Sequence, residues 1–211
     1  MRLQSSCYGA SPWLKSNISE SAQCGDARGI SDAVSCVVET QAPDLTVTDQ
    51  RHLEEAEGWL GLGLWQEAWE EINQVSPANE NRPEVLCCES RIFMKAEAWE
   101  YAVVAAYVLC RVAPLYPNGW IRLCYALHRS KRTSAARRVL MSVADRFPAE
   151  PIIWWHLALY SYELGDVKGA RQWMKQAEAR TRGRRLKQRV REEPELQPLW
   201  AGVKATGKAQ A

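Results

Sequence analysis

Residues 151–183 read PIIWWHLALYSYELGDVKGARQWMKQAEARTRG, and this stretch decides the fold. Its hydrophobic spacing predicts two helices, over 152–163 and 166–179, separated by a turn at Gly165-Asp166. The second helix contains an alanine that recurs at intervals of 34 residues towards the N-terminus. The series is Ala170, Ala136, Ala102 and Ala68. A fixed interval of this length is typical of stacked helix–turn–helix repeats.

Prolines keep the same interval of 34 residues, at Pro83, Pro117 and Pro151. Proline is favoured in the first turn of a helix, so these positions predict where the first helix of each repeat begins. The alanines then fall in the second helices, where we expect the two helices of a repeat to approach closely. A larger side chain there would cost about 1–3 kcal/mol through overpacking. The pattern predicts four repeats, over 49–82, 83–116, 117–150 and 151–183.

The residues that recur with this interval resemble those of the tetratricopeptide repeat (TPR). Residues 151–183 match it best, through Trp154, Leu157, Ala158, Leu164, Gly165, Asp166, Ala170, Met174 and Ala177. The resemblance covers about 135 residues, from 49 to 183. It implies an all-α fold, a right-handed α-solenoid of about four helix–turn–helix repeats with a C-terminal capping helix. In that family the first helices of successive repeats line a concave surface.

The sequence before the repeats has a different composition. Residues 1–47 are rich in Ser, Gly, Ala and Cys and have no helical or alternating period, so we expect a disordered leader. The mismatch with the repeats raises the alternative that this leader is not native to the protein. A repeat domain over 48–203 follows, and Thr48 or Asp49 is the predicted N-cap of its first helix.

The sequence after the repeats predicts a cap. Terminal repeats of a solenoid leave an apolar face to be covered, and Leu199 and Trp200 within residues 184–203 suit that role. Residues 192–200 resemble the closing segment of a group of bacterial TPR proteins. We expect residues 204–211 to fray.

The sequence contains no recognisable catalytic motif. The three histidines fall in different repeats, and phosphate-binding loops, nucleophile elbows and His-Glu-x-x-His patterns are missing. The seven cysteines form no Cys-x-x-Cys pair, which favours reduced thiols in a cytoplasmic protein. The longest apolar stretch is too short to cross a membrane. We therefore predict a protein that is not an enzyme and has no cofactor, no metal site and no membrane partner.

Helical geometry predicts which side chains face the concave surface, because steps of three and four residues stay on one face. The candidate groove residues are Arg91, Met94 and Lys95 in the second repeat, Asn118, Arg122, Tyr125, His128 and Arg129 in the third, and Trp155, Leu159 and Tyr162 in the fourth. They predict a cationic centre beside an aromatic wall. Such a groove suits an acidic peptide or helix with a large apolar anchor, bound by a protein-interaction scaffold.

Some proteins of the family that the sequence resembles bind a peptide's terminal carboxylate with a clamp of Lys, Asn and Arg side chains of three repeats. Only Asn118 and Arg122 stand at positions that correspond to such a clamp. Cys87 and Arg91 replace the expected Lys and Asn of one repeat, and the last repeat has Ile152 and His156 where Lys and Arg are expected. These differences argue against binding of a chaperone tail.

An alternative function is association with RNA or another nucleic acid through the basic end of the chain. The basic residues are Arg129, Lys131, Arg132, Arg137, Arg138, Arg182, Arg184, Arg185, Lys187, Arg189 and Arg191. The first repeat, in contrast, has eight acidic and two basic residues, while residues 151–211 have six acidic and twelve basic ones. This asymmetry predicts a monomer or weak, salt-sensitive head-to-tail association.

Overall fold

Eight α-helices make up most of residues 45–180, the part of the chain that the computed structural model describes. The helices are α1 (Val47–Leu62), α2 (Trp65–Ile72), α3 (Pro83–Lys95), α4 (Trp99–Val112), α5 (Pro117–Arg129), α6 (Thr133–Val143), α7 (Pro151–Glu163) and α8 (Val167–Arg180). A short 3-10 helix, Ala144–Arg146, follows α6. These residues contain no β-strand, and the prediction of an all-α fold is confirmed.

The described chain divides within α5 into an N-terminal body, residues 45–126, and a C-terminal body, residues 127–180. In the N-terminal body, α1 packs against α2 and α3 packs against α4, while α3 also contacts α1 and α2. In the C-terminal body, α7 contacts both α6 and α8. The predicted leader up to residue 44, the predicted cap and the predicted frayed tail lie outside the described residues.

The recurring prolines and alanines occupy equivalent places. Pro83, Pro117 and Pro151 are the first residues of α3, α5 and α7, as the proline spacing predicts. The four alanines of the 34-residue series are all completely buried, on α2, α4, α6 and α8. Each second helix therefore has a methyl group at a position with no solvent-accessible surface.

The turns inside the four helix pairs also share one geometry. A residue with left-handed backbone follows the first helix of each pair, at Gly63 (φ 81°), Glu97 (φ 55°), Lys131 (φ 66°) and Gly165 (φ 82°). The amide of the residue after it donates to a carbonyl five residues earlier, over 2.8–3.0 Å in all four turns. This hydrogen bond is typical of a Schellman C-cap and satisfies a carbonyl in the last turn of the helix.

The predicted N-cap of the first helix is wrong. α1 begins at Val47, and Thr46 is its N-cap, because the Thr46 hydroxyl oxygen accepts a 3.1 Å hydrogen bond from the Asp49 backbone N–H. Asp49 itself lies inside the first turn and is buried. A capping side chain must precede the first helical residue, and only Thr46 meets that condition here.

Candidate functional site

The helices α3 and α5 present six of the predicted groove residues on the N-terminal body. Lys95 and Asn118 are exposed, and Arg91, Met94, Arg122 and Tyr125 are half-buried. A hydrogen bond from Arg122 on α5 to Cys87 on α3 joins the two helices, and the surface that carries these six residues is called the α3–α5 face below. Of the predicted residues, Arg122 is the one that this bond connects to α3, on which Arg91, Met94 and Lys95 lie.

Four side chains on this face form a connected group, called the Arg122 cluster. Nη1 of Arg122 donates to Sγ of Cys87 over 2.7 Å, and the Tyr116 hydroxyl lies 3.9 Å from the same sulfur. Nδ2 of Asn118 donates to the Tyr116 hydroxyl over 3.4 Å. The two residues at the clamp-like positions, Asn118 and Arg122, are therefore linked through a tyrosine and a cysteine.

The charge of Arg122 is not neutralised within the described chain. No acidic side chain of residues 45–180 forms an ion pair with it, and its hydrogen bond there goes to a sulfur, which is a weak acceptor. A guanidinium has five N–H donors in a planar arrangement that matches a carboxylate. Since Arg122 is half-buried, an anion bound to it would be less screened by water than at an open surface.

Arg91 and Lys95 extend the positive charge along α3. Arg91 lies one turn after Cys87 and Lys95 one turn further on, so all three share one side of the helix. Nη1 of Arg91 is 3.3 Å from a carboxylate oxygen of Glu57 on α1, and water reaches both partners, with 38% of the Arg91 side chain and 53% of the Glu57 side chain exposed. An exposed ion pair contributes at most about 1 kcal/mol, so a ligand carboxylate can compete with Glu57 for Arg91.

The apolar part of the face comes from Met94 and Tyr125. Both are half-buried, and the ring of Tyr125 meets the ring of Trp99 edge-on, with centroids 6.1 Å apart. The contact with Trp99 therefore restricts the orientation of the Tyr125 ring. A flexible thioether beside a fixed ring is a suitable surface for an apolar anchor.

The remaining predicted groove residues belong to the C-terminal body. Nδ1 of His128 lies 3.2 Å from Oε2 of Glu163 and 3.1 Å from the Thr133 hydroxyl, so this ring is bonded within the body. Arg129 is exposed and Tyr162 is half-buried. Both retain surface that a ligand can reach.

Trp155 and Leu159 do not form the exposed aromatic wall that the sequence predicts. Their exposed fractions are 2% and 6%. The reason lies in α7, in which nine of thirteen residues are buried and which contacts both α6 and α8. A helix that is apolar all round is covered on all sides, so its faces cannot be told apart by spacing alone.

Sequence analysis missed two features of the N-terminal body. One is Tyr116, which joins Asn118 to Cys87; its position directly before the proline that begins α5 was the available signal. The other is a contact between Nδ1 of His52 on α1 and Oε2 of Glu71 on α2, 2.8 Å apart. A histidine and an acid on different helices give no signal until the pairing of those helices is known.

Four of the seven cysteines lie among the described residues. Cys88, Cys110 and Cys124 are buried and Cys87 is half-buried. Burial raises the pKa of the Cys88 thiol to about 12. Cys88 is therefore protonated at neutral pH and unreactive.

The basic residues of the alternative reading are only partly available. Arg129, Lys131 and Arg138 are exposed on the C-terminal body. Arg137 is half-buried, and its Nη2 forms a 2.8 Å ion pair with Asp166. The basic residues from 182 to 191 lie outside the described residues.

Paired helices, a 34-residue interval of buried alanines and four equivalent left-handed turns define a helical-repeat protein of the TPR type. Solved structures of MamA are similar to this chain. MamA 41-end from Desulfovibrio magneticus RS-1 has a TM-score of 0.61 at 15% identity, covering 79% of this chain and 99% of that one. MamA RS-1 ArsTM double mutant has a TM-score of 0.61 at 16% identity, with 79% and 98% covered. At such identities the likeness shows the fold alone.

A third similar structure, MamA MSR-1 C2, has a TM-score of 0.55 at 16% identity and covers 79% of this chain and 95% of that one. No family model matches the sequence, and no curated protein matches it. Within residues 45–180, no helix combines the length and apolarity needed to cross a membrane.

Proposed function

We propose that this protein is a non-enzymatic protein-interaction scaffold that binds an acidic peptide segment on the α3–α5 face. The observation that carries the proposal is Arg122, a half-buried cation whose hydrogen bond within the described chain goes to a sulfur and not to a carboxylate. Desolvating a charge is costly unless it is paired, so such a side chain favours an anionic ligand. The TPR-type fold supports a protein partner.

The ligand carboxylate accepts hydrogen bonds from the guanidinium of Arg122 and from the side-chain amide of Asn118. Charge-assisted bonds of this kind are roughly twice as strong as bonds between neutral groups. Arg91 and Lys95, one and two turns beyond Cys87 on α3, bind a second acidic group. An apolar side chain of the peptide packs on Met94 and Tyr125 and gives affinity that salt does not screen.

The side chains of this face are suited to binding. They comprise two guanidinium groups and an ammonium, which neutralise an anion, an amide and a phenol, which form hydrogen bonds with it, and a thioether, which packs on apolar groups. The proposal therefore assigns these residues to recognition and assigns no chemical step to them.

The test is an array of labelled peptides in which the number of Asp and Glu residues and the presence of a Leu or Trp anchor vary independently. Fluorescence anisotropy gives the affinity of the wild-type protein and of the Arg122→Gln and Arg91→Gln/Arg122→Gln variants. We expect acidic, anchored peptides to bind best, and binding to weaken at least tenfold in the double variant, about 1.4 kcal/mol. Arg171→Gln and Arg171→Gln/Lys175→Gln, changes of exposed residues on α8, remove the same charge as the single and the double variant and are the controls that leave affinity unchanged. Equal affinity of the wild type and the double variant would exclude the α3–α5 face.

Nucleic-acid binding is a second proposal, supported by the exposed side chains of Arg129, Lys131 and Arg138 on the C-terminal body. Phosphate binding through such residues depends steeply on salt. A gel-shift titration with single-stranded RNA at several salt concentrations tests it. Binding that the Arg129→Gln/Lys131→Gln/Arg138→Gln variant loses supports this proposal, and no shift at low salt refutes it.

A further inference from the structure

The side chains of His52, Glu55 and Glu71 bring three ligand atoms together on the N-terminal body. His52 and Glu55 lie one turn apart on α1, and Glu71 comes from α2, 19 residues after His52. One ligand atom from each side chain lies within 4.8 Å of the other two. Within residues 45–180 this is the one group of three such side chains that meets this condition.

We propose that these three residues form a binding site for a divalent transition-metal ion, with Zn²⁺ as the matching ion. Around zinc with bonds of about 2.0–2.2 Å, tetrahedral ligand atoms are roughly 3.4 Å apart. The His52 and Glu71 atoms are 2.8 Å apart, and the widest separation in the group is below 4.8 Å. Shifts of about an ångström, which side-chain rotation supplies, therefore convert the group into a coordination shell.

The donor set selects the class of metal. One imidazole nitrogen with two carboxylate oxygens suits zinc and its transition-metal neighbours, whereas magnesium and calcium prefer oxygen ligands alone. Three protein ligands leave the fourth position of a tetrahedral zinc open to water. Glu55 is the most exposed of the three, with 46% of its side chain accessible, so water reaches the group beside this residue.

The surroundings of the group carry an excess of negative charge. The first repeat has eight acidic and two basic residues. On α2, one turn before Glu71, Oε2 of Glu67 is buried and has no hydrogen-bond partner. A bound dication would compensate part of this charge.

Two existing interactions must be exchanged for bonds to the metal. Glu55 forms a 3.6 Å ion pair with Arg51, whose side chain is 65% exposed, and exposed pairs within one helix contribute little. His52 and Glu71 are less exposed, at 15% and 26%, and their 2.8 Å hydrogen bond loses its proton to the solvent when the metal binds. Two of the three ligands are thus held in position before the metal arrives, which lowers the cost of binding.

A metal bound by these three residues would link two helices of the N-terminal body. It joins α1 to α2, and a ligand that binds only the folded protein stabilises it. Zinc should therefore raise the melting temperature of the full-length chain, and a chelator should reverse the rise.

The experiment uses the full-length protein freed of metal with EDTA and titrated calorimetrically with Zn²⁺. We expect one ion per chain at this site, with affinity reduced at least tenfold in each of His52→Gln, Glu55→Gln and Glu71→Gln. Glu54→Gln is the matched control, because Glu54 is the exposed neighbour of Glu55 on α1 and bonds to Gln50. Glu55→Gln changes an exposed side chain and keeps the test valid if either other variant fails to fold.

Co²⁺ in place of Zn²⁺ distinguishes this site from thiol sites, because thiolate ligands add an intense near-ultraviolet charge-transfer band. A visible spectrum of nitrogen and oxygen ligation that disappears in Glu55→Gln supports the proposal. A thiolate spectrum that persists in all three variants, an equal loss of affinity in Glu54→Gln, or the lack of saturable binding would each overturn it.

Discussion

The carboxylate of Asp49 on α1 accepts a 2.8 Å hydrogen bond from the backbone N–H of Ser76, 27 residues later in the loop that follows α2. The Ser76 hydroxyl and the Asn79 side-chain amide donate to the same carboxylate over 2.8 and 2.7 Å. Asp49 is 2% exposed. One buried acid therefore accepts three hydrogen bonds from two residues of the loop that leads from the first helix pair to the second.

Asp49→Ala should lower the free energy of unfolding by about 2–3 kcal/mol, because it leaves the donors of half-buried Ser76 and buried Asn79 without their acceptor. Urea denaturation followed by circular dichroism measures the change. Glu54→Ala, an exposed site on the same helix, is the control and should stay close to the wild type. An Asp49→Ala variant as stable as that control would show that water replaces the carboxylate.

The same residue gives a pH dependence. The hydrogen bond from the Ser76 backbone, assisted by those from the Asn79, Ser76 and Thr46 side chains, outweighs burial and holds the pKa of Asp49 well below its ordinary value. A lowered folded-state pKa stabilises the protein above the unfolded pKa of about 3.9, and this stabilisation is lost as the pH falls towards the folded pKa. The stability difference between the wild type and Asp49→Asn should therefore shrink below about pH 4. The exposed Asp145→Asn serves as the control, with a difference that stays constant.

Glu89 on α3 should show the opposite sign. It is 3% exposed and its Oε2 has no hydrogen-bond partner. Burial, reinforced by the charge of Glu80, raises the pKa of Glu89 well above its ordinary value. A raised pKa of an acid means that ionisation opposes folding, so its cost grows as the pH rises above the unfolded value of about 4.3.

Glu89→Gln should therefore gain stability relative to the wild type as the pH increases from 4 to 8, because this range begins near the unfolded pKa of about 4.3. Thermal melts at several pH values measure the difference. Glu54→Gln removes an exposed carboxylate from the same body and is the control for general charge effects. A difference between Glu89→Gln and the wild type that does not change with pH would contradict the assignment.

The sequence predicts the repeats because the interval is carried by residues with a strict steric role. An alanine such as Ala102 is needed where two helices touch, and a proline such as Pro117 fits only the first turn. The shared turn geometry was not visible, because Gly63 and Gly165 alternate with Glu97 and Lys131 at equivalent positions. The left-handed conformation recurs every 34 residues at these turns, although the residue type does not.

The candidate site was predictable only in part, for a related reason. Helical spacing places Arg122 and Asn118 on one face from the sequence. Spacing cannot show that Cys87 is the partner of Arg122, since that contact joins residues 35 positions apart. It also cannot show that Trp155 is buried, because burial depends on which helices cover α7.

The non-glycine turns allow stabilisation by substitution. A residue other than glycine costs roughly 1–2 kcal/mol in the left-handed region, so its replacement by glycine removes this strain. The greater freedom of glycine in the unfolded chain offsets part of the resulting stabilisation. Glu97→Gly and Lys131→Gly should therefore raise the melting temperature slightly. Gly165→Ala should lower it at the equivalent turn, where φ is 82°. Changes of equal sign in Glu97→Gly and Gly165→Ala would contradict a shared conformational cause.

The buried alanines predict a steric limit at each helix pair. Ala102 on α4 is completely buried, in the helix that packs against α3. Ala102→Leu has no space for three extra carbons without separating the helices, and such overpacking costs about 1–3 kcal/mol. For a chain of this length, each kcal/mol lowers the melting temperature by about 2–4 °C. Ala179→Leu on the exposed side of α8 adds the same carbons to open surface and should leave the melting temperature unchanged. If Ala102→Leu melted like Ala179→Leu, the close approach of α3 and α4 would not be what keeps alanine at this position.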